Sequence, residues 1–147
     1  MNIRTPIVAA GTAAIVGTGA FFLPAAASAR TITHTLQFTA ETKGSASFSS
    51  STEAEQDTDV SNAGKVLGYD MLYLTLISPT TAAINITVDV NGGMLYGTAM
   101  LNGEGVVSDG KVTGGTGEFQ GATGTITVKS LNTAGTRHAV KITYCGQ

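Results

Sequence analysis

From Thr31 onward the apolar residues recur at every second position in short segments, the period of a strand with one buried face. Thr31–Ala40 sets Ile32, His34, Leu36 and Phe38 on one face, against Thr31, Thr33, Thr35 and Gln37. Ala82–Val90 alternates cleanly, with Ile84, Ile86, Val88 and Val90 against Asn85, Thr87 and Asp89. Lys65–Ile77 is apolar on both faces, as a strand covered on two sides requires. Met94–Leu101, Thr123–Leu131 and Thr136–Cys145 complete the clear strands, and Glu104–Thr113 holds one strand or two, depending on whether Asp109-Gly110 is a hairpin turn.

Turn signals separate these runs at Ser78-Pro79-Thr80, Asn91-Gly92-Gly93, Asn102-Gly103 and Asn132–Gly135. Glu41–Asn62 is Ser-rich and acidic, with Phe48 as its one large apolar residue; it reads as a long loop with a short strand around Ala46–Ser50. Its alternating Glu53, Glu55, Asp57 and Asp59 lack the central glycine and closing glutamate of a calcium loop and are expected to be a solvated face. Between Lys111 and Thr125, glycines and threonines surround Glu118 and Phe119, the composition of a strand that bends at a barrel corner and resumes. Seven or eight short strands joined in sequence predict an all-β fold, a sandwich or a closed antiparallel barrel of about eight strands.

The first residues belong to a different regime. Arg4 precedes an apolar or small run from Ile7 to Leu23, and Ala27-Ser28-Ala29 supplies a cleavage site, so residues 1–29 read as an export signal and 30–147 as a single secreted domain. The formal net charge of −2 and the lack of any Lys/Arg cluster argue against nucleic acid and, after cleavage, against a membrane surface. Cys145 is the only cysteine, so the fold has no internal disulfide; the thiol is either a small apolar residue closing the last strand or one half of an intermolecular bridge.

The run Gly114-Gly115-Thr116-Gly117-Glu118-Phe119, followed by Gly121-Ala122-Thr123-Gly124, resembles the Gly-Gly-Thr-Gly-x-Phe signature of the dirigent proteins and of the bacterial barrels grouped with allene oxide cyclase. Gly68-Tyr69-Asp70 and Asn91-Gly92-Gly93-Met94-Leu95 fit the order of elements in those bacterial sequences. The resemblance implies an eight-stranded barrel with a hydrophobic lumen, assembled as a homotrimer, that binds a small apolar molecule and steers its cyclisation or coupling, an isomerase-like activity without metal or redox cofactor. It carries Glu118 over as a pocket carboxylate. Ala122-Thr123 stands where dirigent pockets commonly supply an arginine.

Period-two alternation places three ionisable residues among apolar ones: His34, Asp70 (with Leu72, Leu74 and Leu76) and His138 (with Val140, Ile142 and Tyr144). An unpaired buried charge is costly, so each is paired, neutral, at a rim or functional. Asp70, His34, His138 and Glu118 are the catalytic candidates, as proton donors or relays. Tyr69, Met71 and Tyr73 on one strand, Met94, Tyr96 and Met100 on another, and Phe119 are candidates to line the lumen around a planar or lipid-like guest; core packing accounts for them equally. Two histidines and one cysteine without close spacing argue against a zinc site, Gly114–Gly124 is no phosphate loop, and no cofactor is expected. Two functions remain open at this level: a binding barrel with or without catalysis, and a non-catalytic exported structural or interaction barrel, including one that meets partners through residues 41–62.

Overall fold

The computed structural model describes residues 32–146; the expected export signal lies outside them. Eight antiparallel strands close into a barrel in strict chain order, which leaves the sheet without a free end. They are β1 (Ile32–Ser49), β2 (Thr52–Val60), β3 (Val66–Ser78), β4 (Thr81–Val90), β5 (Gly93–Asn102), β6 (Val107–Gly115), β7 (Thr123–Ser130) and β8 (Arg137–Gly146). A closed antiparallel barrel was therefore legible in the alternation, and the sandwich is excluded.

One strand expectation is corrected and one open alternative is settled. Residues 41–62 are not a long loop: β1 continues to Ser49 and β2 returns as its partner, from Ser49–Thr52 to Thr39–Val60. The alternating carboxylates are thus one face of a strand, and Asp57 and Asp59 are almost wholly buried (1% and 0% exposed). Glu104–Thr113 contains one strand, not two. Asp109 and Gly110 together oppose Ala99 between the pairs Thr98–Lys111 and Met100–Ser108, and Asp109 takes a positive φ of 53°, so the pair forms a bulge that turns the wall.

Inward residues build the core. Ile84, Ile86, Val88 and Val90 from β4 meet Leu95, Val112, Ile126, Val140 and Ile142 from neighbouring strands. Each fully buried aliphatic among them, such as Leu95 or Ile142, contributes about 2 kcal/mol through lost apolar exposure. The expected barrel corner is present. After β6 the chain makes a 3-10 turn at Gly117–Phe119, where Gly117 adopts φ 59°, a conformation glycine takes without strain. Gly115 has no Cβ, so Phe119 folds directly over it and buries its ring at the base of the barrel.

Fastening around the wall is uneven. β1 and β8 pair continuously from Ile32–Gly146 to Glu41–Arg137, whereas β6 and β7 share two pairs, Lys111–Thr125 and Val112–Gly124.

Candidate functional site

An eight-stranded barrel is just wide enough to be filled by its own side chains or to hold one small ligand. Here the base is filled and the upper half is not. Phe119 closes the bottom and meets Tyr144 edge-on at 5.5 Å between ring centres. Above it lies a cavity of about 410 Å³ that opens between the β5–β6 and β7–β8 loops, at Glu104, Gly105 and Asn132–Gly135. Its walls are mainly aliphatic, drawn from β3, β4, β7 and β8, including Leu72, Leu74, Ile84, Ile86, Val128 and Val140.

One side is different. Glu55 and Asp57 of β2 and Asp70 of β3 face the same space, and Asp57 stands directly opposite Asp70 across the strand pair. Asp59 lies one inward position deeper on β2. Among the described residues, neither oxygen of Asp57 or Asp59, nor Oδ1 of Asp70, has a hydrogen-bond partner. Thr42 of β1 donates its hydroxyl to Glu55 Oε1. Buried carboxyls this close cannot all ionise, because desolvation and mutual repulsion both favour the neutral acid. Desolvation, followed by the neighbouring Asp59 and Asp57, pushes Asp70 up to about 9. Burial pushes Asp59 up to about 7, with the neighbouring Asp70 opposing the rise. Asp57 is raised by burial too, with Thr42 and His138 opposing the rise. Glu55 follows the same direction, from burial opposed by the Thr42 hydroxyl. With Asp70 raised furthest, the coupled group favours retaining a proton at neutral pH.

His138 of β8 also lines the cavity, at the mouth. It is in register with Ala40 of β1, which in turn pairs with Asp59, so a small side chain is all that separates the imidazole from the carboxyl row. His138 Nε2 donates to the Gly135 carbonyl at 2.8 Å, which leaves Nδ1 as the acceptor.

Among the catalytic candidates, Asp70 and His138 therefore share one cavity. His34 and Glu118 do not enter it. His34 is exposed near the start of β1 and stacks on Tyr144 at 5.3 Å, and Glu118 is exposed on the basal turn. The aromatic and methionine stripe is also corrected. Tyr69, Met71 and Tyr73 are on the outer face of β3, at 53%, 57% and 45% exposure. Met94, Tyr96 and the half-buried Met100 are on the outer face of β5, and the Tyr96 hydroxyl is directed at Met94 Sδ. Phe119 is buried as the floor and does not line the cavity. β3 is apolar on both faces, so its pattern had no means of choosing the inward one; the even face carrying Asp70 won. Residues 57 and 59 were missed because carboxylates at inward positions mimic a solvated strand. The usable signal was their strict alternation, in step with that of Asp70. Among the described residues no group of three or more His, Cys, Asp or Glu is arranged to hold a metal ion.

No protein-family model matches the chain, and no curated protein matches it. Solved structures do. A pyocyanin demethylase superposes with a TM-score of 0.63 at 19% identity, over 76% of this chain and 99% of its own. The pterocarpan synthase dirigent protein GePTS1 superposes with a TM-score of 0.62 at 17% identity, over 86% of this chain and 99% of its own. At such identities the likeness is one of architecture, and it agrees with the Gly-Gly-Thr-Gly-x-Phe run at the basal corner: this chain folds as a dirigent-type, closed eight-stranded barrel.

Proposed function

We propose that the protein is a secreted barrel that takes one small hydrophobic molecule into its lumen and steers a cyclisation or coupling of it. The observation that carries this reading is the apolar cavity of about 410 Å³ with the buried carboxyl of Asp70, one oxygen unpartnered, in its wall. Aliphatic walls orient and desolvate the guest, Asp70 donates a proton, and His138 Nδ1 at the mouth accepts one. The fold is shared with a protein named as a pterocarpan synthase and another named as a demethylase, so this architecture holds small-molecule chemistry in other chains. The exposed stripe of Tyr69, Met71, Tyr73, Met94 and Tyr96 supports a further copy of the chain as its cover, in the homotrimer that the resemblance implies.

The guest site is tested by filling it. Ile84→Trp should abolish calorimetric binding of a compact apolar probe, naphthylmethanol, while the far-ultraviolet spectrum stays that of a β-barrel; overpacking costs roughly 1–3 kcal/mol, which the fold should survive. Undiminished binding by the folded variant would place the guest elsewhere. Light scattering tests the assembly: a monomer at micromolar concentration contradicts the trimer.

A further inference from the structure

The cavity's charge is one-sided. Glu55, Asp57 and Asp70 line it and Glu104 stands at its mouth, while among the described residues no lysine or arginine contributes to the lining. The ion pairs present join Glu41 to Lys43 and to Arg137 and involve none of these carboxyls. Asp57 and Asp70 are more than nine-tenths buried, and both oxygens of Asp57 and one of Asp70 face the cavity side of β2 and β3 unpartnered. An unsatisfied buried acceptor costs about 1–3 kcal/mol, so the arrangement lacks a donor. The rest of the lining is aliphatic, which suits a hydrocarbon body and not a hydrated inorganic ion.

We infer that the ligand of this cavity is an amphipathic organic cation: a compact apolar body bearing a protonated amine, seated with its ammonium against Asp57 and Asp70. The inference rests on the lumen being a guest site and specifies the class of guest. An ammonium offers three N–H donors and a positive charge, which fits two facing carboxyls that have acceptors to spare. In the empty protein a proton occupies that place; an arriving ammonium replaces it, Asp70 becomes a carboxylate, and the displaced proton leaves to the buffer. Toward a cationic guest Asp70 is thus a counter-ion, and its proton-donor role is confined to neutral guests. The titratable or charged groups facing the seat are Glu55, Asp57 and Asp59 from β2, Asp70 from β3, His138 from β8 and Glu104 from the β5–β6 loop, with the neutral Thr42 hydroxyl from β1 held on Glu55. Acidic groups outnumber the one imidazole, so an anion should be rejected.

Three probes of nearly equal shape separate the possibilities: naphthylmethylamine, naphthylmethanol and naphthoate, titrated calorimetrically into the full domain at pH 7. The amine should bind at least about tenfold more tightly than the alcohol, a margin of about 1.4 kcal/mol, and naphthoate should not bind. Repeating the amine titration in buffers of different ionisation enthalpy should reveal proton release, which alcohol binding lacks. In the Asp57→Asn/Asp70→Asn double variant the amine's advantage over the alcohol should vanish. Equal binding of amine and alcohol overturns the cation inference and leaves the guest site standing. Tighter binding of naphthoate reverses the sign and overturns it as well. Failure of all three to bind removes both the inference and the reading beneath it.

Discussion

Asp70→Asn should make the protein more stable at pH 7, by roughly 4 kcal/mol, and leave it nearly unchanged at pH 4. Most removals of a buried polar group do the reverse. The difference lies in which state holds the proton. In the unfolded chain Asp70 ionises near its ordinary 3.8, whereas in the barrel burial and the facing Asp59 and Asp57 push it up to about 9. Between those values the folded state binds a proton that the unfolded state has released. Stability is therefore fully present below about pH 4, falls as pH rises, and levels off only above about 9, where the folded carboxyl ionises as well. Asp59 adds to the decline over a narrower window that ends near 7. Asparagine keeps the shape and removes the ionisation, so the gain should widen with pH across that range. Urea denaturation of both proteins at pH 4, 7 and 9 measures it. A variant that loses more stability at pH 7 than at pH 4 would mean that Asp70 is an ionised, well-partnered carboxylate, and the proton-donor role would fall with it.

Phe119→Ala should cost about 4 kcal/mol, or roughly 15 °C in Tm for a chain of this length. The ring is 6% exposed and forms the floor beneath the cavity. It lies against the side-chain-free Gly115 and meets the edge of Tyr144. Removing it forfeits the transfer energy of an aromatic ring and leaves a void that the 3-10 turn cannot collapse to fill, because Gly92 and Thr116 hold that turn through backbone hydrogen bonds to Glu118 and Phe119. Phe119→Leu should retain most of the stability. Thermal melts of the two variants decide the matter; a loss under about 1 kcal/mol in the alanine protein would mean that the ring is no more than a lid on the base.

The sequence made the barrel legible wherever inward positions were apolar. β4 is the clearest case, since Ile84, Ile86, Val88 and Val90 alternate with polar residues and face inward without exception. The basal corner was legible too, because its glycines bracket one large apolar side chain. β2 failed for a physical reason. Its inward positions carry Glu55, Asp57 and Asp59, and a method that equates carboxylates with water assigns such a segment to a loop. The outer half of β1 failed with it, being polar and exposed beyond Thr42. The same substitution of acid for hydrocarbon makes the candidate site, so the misreading and the site share one origin. The face of β3 could not be chosen from its own composition. Only its pairing, which sets Asp70 against Asp57, decides which side looks inward.

The seam between β6 and β7 gives the chamber an unequal wall. Val107 and Ile126, on either side of that two-rung joint, are also part of the cavity lining, so the cavity adjoins the least-stitched flank of the barrel. Swelling of the contents strains those staves before any others. Under the proposed lumen binding, the girth of an acceptable guest would be set by the give of one join, and not by the diameter of a rigid hoop.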